Sequence, residues 1–290
     1  MRFGVREICN VVFKAKTDRT IGTKSFKAGM PVLYFDSLKT STLEQAATTV
    51  YAQGGRGNTR LVAWEGEKTL TFTMEDALIS EMGLAILASA RLYEASTANT
   101  LLVHATENCK GCKVTKPVST KNGVKAYGLA LDSEGEIVGT PIELTFTGSG
   151  ESVTVSGKDD TGKDATIDEN TVYLVDYYFE QPNNGFQIDI EPECFGGNFY
   201  IEADTLFRDT KGQDHAAQFI IPNGKIQSNF TLTMASSGDP STFTFTVDAF
   251  PGYVNNDQTK KVLSAIQVLS DVEIAAETDD AAGDYDDTES

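Results

Sequence analysis

Four cysteines and two histidines are the side chains of this sequence best suited to binding a metal ion. Cys109 and Cys112 form a Cys-x-x-Cys pair, and His104 precedes that pair by five residues. With Cys194 or Cys9, they could supply the thiolate and imidazole ligands of a tetrahedral zinc site. A second Cys-x-x-Cys pair is missing, so four reduced thiols are the simpler interpretation, with a disulfide as a further alternative. We expect no metal or other cofactor; the candidate ligands, should a metal bind, are His104, Cys109, Cys112 and Cys194.

Two glycine-rich stretches invite comparison with phosphate-binding loops. The stretch GKDDTGKD, residues 157–164, departs by one residue from the pattern glycine, four residues, glycine, lysine, then serine or threonine. Asp164 stands where a hydroxyl would bind magnesium, and two further aspartates would repel phosphate. Neither this stretch nor GGRGN, residues 54–58, precedes a predicted helix whose N-terminus could receive an anion. We therefore predict hairpin turns at both places.

Motifs for nucleophilic catalysis are missing from the sequence. No G-x-S-x-G nucleophile elbow is present. Paired carboxylates could cleave glycosidic bonds, but no pair among the 42 acidic residues stands out. We expect no catalytic residue and a protein that is not an enzyme.

The GGRGN stretch has the composition of an exposed hairpin tip. Its glycines permit the positive backbone angles of a tight turn. An arginine at such a tip is exposed and could pair with a carboxylate through two parallel hydrogen bonds. An ordinary solvated hairpin is the alternative. The candidate residues for contact with another subunit are Gly54, Gly55, Arg56, Gly57, Asn58 and Arg60.

Alternating apolar and polar residues dominate the chain that must position these side chains. The alternation predicts half-buried β-strands at residues 11–16, 31–36, 68–74, 142–148, 171–179, 198–207, 243–250 and 261–270. Glycine, asparagine, aspartate and proline between them predict turns at 132–135, 183–185, 223–224 and 237–240. The protein is therefore expected to be mainly β.

One segment has helical periodicity instead. In residues 74–92, apolar side chains recur at three- and four-residue steps. Glu75 and Asp76 stand at the start and Arg91 at the end, in the order that the helix dipole favours. The segment is predicted to be one amphipathic helix, whose apolar stripe must pack on a sheet.

The charge balance limits the partners of the protein. Its 42 acidic and 24 basic side chains give a formal net charge of −18. Such a surface opposes nucleic-acid binding, which requires lysines and arginines along the phosphates. No stretch has the ~20 apolar residues needed to span a bilayer, so we expect a soluble protein with no membrane partner.

Composition also suggests how the chain divides. Residues 106–180 are more polar and richer in Gly, Ser and Lys than their flanks, which indicates an insertion or a small β module. The parts at 1–105 and 181–270 would form the larger domain around it. Residues 271–290 carry nine acids and no base, which predicts a disordered acidic tail.

Two stretches resemble the tail tube proteins of tailed bacteriophages, the major tail protein family. They are GGRGNTRLVAWEGEKTLTFTMEDALIS at 54–80 and FYIEADTLFRDTKGQDHAAQFIIPNGKIQSNFTLTMASSGDPSTFTFTVDAF at 199–250. The resemblance implies a mainly β fold, a tail-tube-type β-barrel or sandwich with one packed amphipathic helix and a β-rich insertion. It implies a structural virion protein that self-assembles as hexameric rings, stacked into the tube through which the genome is delivered.

The resemblance favours the contact role of the glycine-rich tip. In a tube, neighbouring subunits close the open strand edges of each subunit, and long hairpins reach the adjoining subunit or ring. Arg56 and Arg60 would then face acids of the next subunit. The implied partners are the tape measure protein, the baseplate and sheath proteins, while DNA passes through without specific binding. Synthesis is expected in the bacterial host cytoplasm, and the assembled protein in the tail of the virion.

Two alternatives stay open. A tail terminator or baseplate adaptor with the same fold would assemble as one ring. A carbohydrate-binding or carbohydrate-cleaving β module would sediment as a monomer and bind glycans.

Overall fold

The computed structural model describes residues 2–5, 7–147, 154–229, 231, 242–254 and 257–269. Within it the chain forms two compact units. Unit 1 combines Met1–Arg91 with Ile190–Ser290, and unit 2 is Leu92–Asp189. The turn predicted at 237–240 and the acidic tail at 271–290 lie outside the described residues.

Strands make up most of the described chain, with one short helix. In chain order the elements are β1 (Phe3–Val5), β2 (Asn10–Ala15), β3 (Arg19–Ile21), β4 (Lys24–Phe26), β5 (Pro31–Phe35), β6 (Leu38–Gly54), β7 (Thr59–Asp76), α1 (Glu81–Leu87), β8 (Arg91–Glu94), β9 (Leu101–Lys110), β10 (Ala126–Leu131), β11 (Ile137–Thr147), β12 (Thr154–Lys158), β13 (Asp164–Ala165), β14 (Val172–Gln181), β15 (Phe186–Asp189), β16 (Asn198–Asp209), β17 (Asp214–Ile226), β18 (Phe243–Ala249) and β19 (Ala265–Val268). The mainly β prediction is confirmed. The last predicted strand, 261–270, is shorter than expected.

Unit 1 is built on a nine-stranded antiparallel sheet. Its strands follow the order β5-β2-β16-β17-β18-β7-β6, with β1 added to β16 and β19 added to β17. Alternate residues of these strands are buried, as the period-two pattern requires: β2 buries Val11, Phe13 and Ala15. The small β3–β4 pair lies outside this sheet.

Aromatic contacts show that the unit 1 sheet curls around its core. The ring centroid of Phe35 in β5 lies 4.8 Å from that of Phe245 in β18, although three strands separate β5 from β18 in the sheet. Phe13 of β2 packs against rings of the two adjacent strands, 5.4 Å from Phe35 and 5.6 Å from Phe199. Each buried phenylalanine stabilises this packing by about 1.5–3 kcal/mol. The sheet still ends at β5 and β6 as separate edges, so it is a curled sandwich-like layer and not a closed barrel.

The helix is shorter than the predicted 74–92. Met74 and Asp76 belong to β7, where they pair with Phe245 and Phe243 of β18. The helix begins at Glu81, because the Ser80 hydroxyl accepts a hydrogen bond from the Gly83 N–H at 3.0 Å.

The far end of the helix is set by a left-handed residue. Ser89 has a φ of 51°, which stops the helix after Leu87, and Arg91 already starts β8. The amphipathic character is confirmed within these limits, since Met82, Ala85, Ile86 and Leu87 are buried.

Three of the predicted turns can be compared with the structure. At 132–135, the Gly135 N–H donates to the Asp132 carbonyl at 3.2 Å, which confirms a turn between β10 and β11. Asn184, with a φ of 57°, lies between β14 and β15. The turn at 223–224 is wrong, because Gly224 pairs with Phe199 and Ala249 inside β17.

Unit 2 contains a six-stranded antiparallel sheet in the order β13-β12-β11-β10-β14-β9, and a two-stranded β15–β8 pair. One face of the larger sheet covers a core cluster that includes Cys112, Val175, Tyr177 and Phe179. No part of the described chain forms a helix long and apolar enough to cross a membrane.

Candidate functional site: an exposed hairpin arm

Strands β6 and β7 form a hairpin that extends beyond the body of unit 1. They pair from Leu38 opposite Asp76 to Gly54 opposite Thr59. Near the body, β7 buries every second residue from Leu70 to Asp76, but from residue 44 to residue 69 every side chain is exposed except the half-buried Ala52 and Gly54. We call residues 44–69 the arm. Each of its strands runs for about 35 Å, at roughly 3.4 Å per residue.

The glycine-rich stretch lies at the tip of the arm. Gly55, Gly57 and Asn58 have φ values of 80°, 98° and 50°, all in the region that glycine and asparagine tolerate best. The Asn58 N–H donates to the Gly55 carbonyl at 3.1 Å, and the Asn58 amide donates to Oε1 of Gln53 at 3.2 Å. These bonds close a hairpin turn, as predicted for this stretch.

The two arginines of the tip occupy different settings. Arg60 lies opposite Gln53, and its guanidinium stacks 4.1 Å from the centre of the Tyr51 ring. Arg56 lies at the turn itself and is exposed. Neither forms an ion pair within the described part of the chain. Two unpaired cations therefore mark the end of the arm.

One face of the arm is apolar. Val50 lies opposite Trp64, and Ala52 lies opposite Val62, so these four side chains share a face. A methyl group on Gly54 would lie 3.5 Å from Cδ1 of Leu61, which places Leu61 on that face as well. We call Val50, Leu61, Val62 and Trp64 the apolar face of the arm; they are 49–64% exposed.

Both edges of the arm are open in the described part of the chain. Strand β6 is the last strand of the sheet, so its outer edge has no partner strand. Strand β18 pairs with β7 only from Thr71 to Asp76, which leaves the outer edge of residues 59–70 unpaired. A two-stranded ribbon with open edges is only marginally stable in water by itself. The arm therefore has the properties of a segment that another chain completes.

The predicted metal ligands are placed as follows. His104 and Cys109 lie on β9 five residues apart, so their side chains point to opposite faces of the sheet. On the exposed face, a ring nitrogen of His104 lies 3.1 Å from Oδ1 of Asp176. Cys112 is buried in the core of unit 2. Cys194 belongs to unit 1 and is partly buried. The described residues contain no group of three or more His, Cys, Asp or Glu side chains arranged to hold a metal ion.

Burial keeps the two thiols of the Cys-x-x-Cys pair protonated. Desolvation, with the charge of Glu107 as a smaller cause, raises the pKa of Cys109 to about 11. Desolvation and the neighbouring Cys109 raise the pKa of Cys112 to about 12. A metal ligand or redox nucleophile needs the thiolate, which these surroundings disfavour.

The stretch at 157–164 forms the second predicted hairpin. Its chain turns between β12 and β13, and Oδ1 of Asp159 accepts the backbone N–H groups of Thr161 and Lys163, both at 2.9 Å. A carboxylate thus occupies the inside of the loop, where a phosphate would otherwise bind, and lowers the suitability of the loop for anions.

Sequence reasoning located the tip of the arm but missed its apolar face. Residues 59–66 alternate like a strand, and that pattern does not show whether Val62 and Trp64 are buried or exposed. The structure shows strands of 17 and 18 residues on the two sides of the tip, much longer than the usual five or six, and the sequence pattern did not reveal this length. A hairpin of that length outgrows the sheet that could cover it.

The chain matches a model of a known protein family. A family model described as the YomU/Tube protein family matches residues 4–265, which is nearly the whole chain. Among curated proteins, no match to this chain was found. The family match agrees with the resemblance to phage tail tube proteins that the sequence suggested.

Proposed function

The chain belongs to the YomU/Tube protein family, and from that premise we propose that it is a structural subunit of a bacteriophage tail, which polymerises into the tail tube. In this proposal six subunits form a ring, and stacked rings enclose the conduit for genome delivery. Unit 1 builds the tube, and unit 2 is the β-rich insertion.

The observation that carries this proposal is the apolar face of the arm. Val50, Leu61 and Trp64 each leave more than half of their surface in water. Burying such side chains against a neighbour yields about 25 cal/mol per Å² of apolar area. Since an isolated ribbon gains nothing from this exposure, the arm is best explained as half of an interface between copies.

The open edges explain why assembly continues past a dimer. An arm that binds a different surface of the next copy makes a head-to-tail contact, and such contacts generate rings or filaments. The open edges of β6 and β7 can also form main-chain hydrogen bonds with a strand of a neighbouring copy. Hexameric rings and their stacking follow from the resemblance to tail tube proteins.

The charges at the tip give the contact its direction. Arg56 and Arg60 are cations on a chain whose formal net charge is −18. Most surfaces of another copy therefore attract the tip, and paired charges fix the orientation of docking. We propose Gly54, Gly55, Arg56, Gly57, Asn58 and Arg60 as the contact residues of the tip, together with the apolar face of the arm.

Electron microscopy of the purified protein tests the proposal. Long tubes of stacked rings are expected. Isolated rings would instead support a tail terminator or baseplate adaptor, and a monomer at all concentrations would contradict assembly. Since Trp64 is the only tryptophan of the chain, its emission should shift to the blue as tubes form. Tubes without that shift would show that the arm is not the interface.

The proposed partners follow from the same function. A tail tube encloses a tape measure protein, joins a baseplate and, in contractile tails, supports a sheath. DNA passes through it without specific binding. The protein acts as structure rather than as an enzyme, and its place is the tail of the virion after synthesis in the host cytoplasm.

A further inference from the structure

We propose that a lysine-lined groove on unit 1 binds the acidic C-terminal segment, residues 271–290, of a second copy of this chain. We call it the lysine groove and define it by Lys14, Lys16, Lys261, Tyr200 and Tyr253. The proposal goes beyond the tube function, because the groove can bind an acidic peptide whether or not rings form.

The lysine groove has a volume of about 640 Å³. Lys14 of β2 lies opposite Tyr200 of β16, which places one cation and one aromatic ring side by side. Pro222 and Pro251 add rigid apolar walls. Tyr253 and Lys261 are held on the other side by a Gly252–Val262 bridge, whose two backbone hydrogen bonds measure 3.0 Å and 2.8 Å.

The charge of the lysine groove is opposite to that of the chain. Three lysines line it, and no carboxylate is among its described lining residues. The Lys14 ammonium donates to the carboxylate of Glu202 beside the groove, while Lys16 and Lys261 form no ion pair in the described chain. Lys261 lies 5.5 Å from the centre of the Tyr253 ring.

Partial burial adds to the attraction for an anion. Desolvation lowers the pKa of Lys16, because the cation has lost part of its water. An incoming carboxylate would replace that lost solvation and form a charge-assisted hydrogen bond. The lysine groove therefore favours a ligand with several carboxylates over a neutral one.

The ligand chemistry matches residues 271–290, which lie outside the described residues. This segment carries nine acidic side chains and no basic one. It also contains Val272, Ile274 and Tyr285, which suit the proline and tyrosine walls. An acidic peptide thus uses both properties of the groove, whereas a free phosphate would use only its charge.

The direction of β19 favours a second copy as the source of the segment. β19 pairs with β17 from Ala265 opposite Ile220 to Val268 opposite Ala217, and the Leu269 N–H then donates to the Ala216 carbonyl. The chain thereby moves away from Pro222, which lines the groove, by about 17 Å over five strand residues. The segment of the same chain would have to reverse to reach the groove, whereas that of a neighbour need not.

A peptide-binding measurement tests the proposal. The probe is a fluorescent synthetic peptide of residues 271–290, and the protein is the full-length chain with the nine acids of that segment changed to Asn or Gln. We expect saturable binding that weakens with salt. Lys16→Glu with Lys261→Glu should weaken it about tenfold or more. Lys158→Glu with Lys163→Glu, the same charge change on the β12–β13 hairpin, should leave it unchanged.

Three results would overturn the proposal. The first is that the peptide does not bind, and the second is that the groove variant and the control variant bind it equally well. The third is that an oligonucleotide of matched charge displaces the labelled peptide as well as the unlabelled peptide does. Should the glutamate variant fail to fold, Lys16→Gln with Lys261→Gln must still weaken binding and reduce its salt dependence.

The wild-type chain identifies the source of the segment. If a second copy supplies it, dilute wild-type protein binds the peptide as tightly as the neutralised chain. If the same chain fills its own groove, the wild type binds at least tenfold more weakly, because a tethered segment competes at a high effective concentration. That second result would overturn the assignment to a second copy. Peptide binding without tubes in the microscope would leave this inference standing and contradict the tube function alone.

Discussion

At the scale of single residues, the arm joins two interactions that differ in range. The charges of Arg56 and Arg60 act over about 8 Å in physiological salt, whereas Val50 and Trp64 contribute only on contact. In the proposed interface, the arginines would therefore guide encounter and orientation, while the apolar face would supply the free energy of association. Variants of the two groups should fail in different ways.

Reversing the charge of the tip should impair assembly without unfolding the chain. For Arg56→Glu with Arg60→Glu, we expect an unchanged melting temperature and at least a tenfold higher protein concentration for tube formation, because like charges meet at the interface. The loss should be smaller at high salt. Lys158→Glu with Lys163→Glu is the matched control. Normal tubes from the arginine variant would contradict the contact role.

The raised pKa values of Cys109 and Cys112 predict slow chemical modification. Because the pKa of Cys109 is about 11 rather than 9, its thiolate at pH 8 is about a hundredfold rarer than that of an ordinary thiol. Site-resolved mass spectrometry after iodoacetamide treatment should find Cys109 and Cys112 unmodified in the folded protein and modified in urea. Rapid labelling of the folded protein, or protection that depends on zinc, would revive the metal hypothesis.

The raised pKa values of Cys109 and Cys112 also make the free energy of unfolding depend on pH. The folded state holds the Cys109 and Cys112 protons more tightly than the unfolded state, whose thiols ionise near pH 9. The contribution of these thiols is therefore complete below pH 9. It is lost as the pH rises through 9 towards the folded values of about 11 and 12, so the free energy of unfolding should fall in that range.

At the scale of elements, the sequence predicted strands well where a single face is buried. β2 and β14 bury alternate residues throughout, and the predicted runs 11–16 and 171–179 coincide with them closely. The sequence predicted the helix less well, since residues 74–76 fit both the two-residue period of a strand and the 3.6-residue period of a helix. Only the pairing of β7 with β18 decides between the two. The local pattern of apolar residues carries no information about that long-range contact.

The error at 223–224 has a similar cause. Asn-Gly is a strong turn signal, but here the glycine is needed for space. A methyl group on Gly224 would lie 2.7 Å from both Cδ1 of Ile201 and Cγ1 of Val247, which are fully buried. The neighbouring strands decide this position, and a single sequence does not reveal them.

Gly224→Ala should therefore destabilise unit 1. Overpacking of this kind costs about 1–3 kcal/mol in the free energy of unfolding, measurable by urea denaturation. Gly4→Ala is the matched control, because the nearest atom to its new methyl group would be the Arg208 carbonyl oxygen at 3.9 Å. Equal stability of the two variants would show that β16 and β18 move apart at little cost.

The arm shows what a sequence can and cannot indicate about an exposed hairpin. Its tip was predictable, because three glycines and an asparagine fall within residues 54–58, and such a cluster favours a tight turn. Its exposure was not, because Val62 and Trp64 look the same in a core strand and in a strand that a neighbouring subunit covers. Only the course of β6 and β7 beyond β18 separates the two cases.

At the scale of the whole molecule, the composition of residues 271–290 predicts that they contribute little to folding. Deleting residues 275–290 removes charged side chains and few apolar ones, so the melting temperature should not change. A large fall in melting temperature would show that the tail contributes to folding. Replacing the same residues by a neutral segment of equal length separates the effect of charge from that of length.

The net charge of the chain bears on the passage of DNA. A conduit must let a polyanion slide without sticking, and each phosphate neutralised by a lysine or arginine would add a binding contribution through counterion release. Outside the nine acids of residues 271–290, the chain still has 33 acidic residues against 24 basic ones. We therefore expect a lumen lined by Asp, Glu and small polar residues.

Two measurements test this expectation. A structure of the assembled tube would show the sign of the lumen directly, and a lining made mainly of Lys and Arg would contradict it. DNA titrations of assembled tubes at low salt should show no detectable affinity, because an acidic wall repels the phosphates. Tight binding that weakens steeply with salt would mean that lysines and arginines line the path of the DNA, and it would contradict the expected acidic lumen.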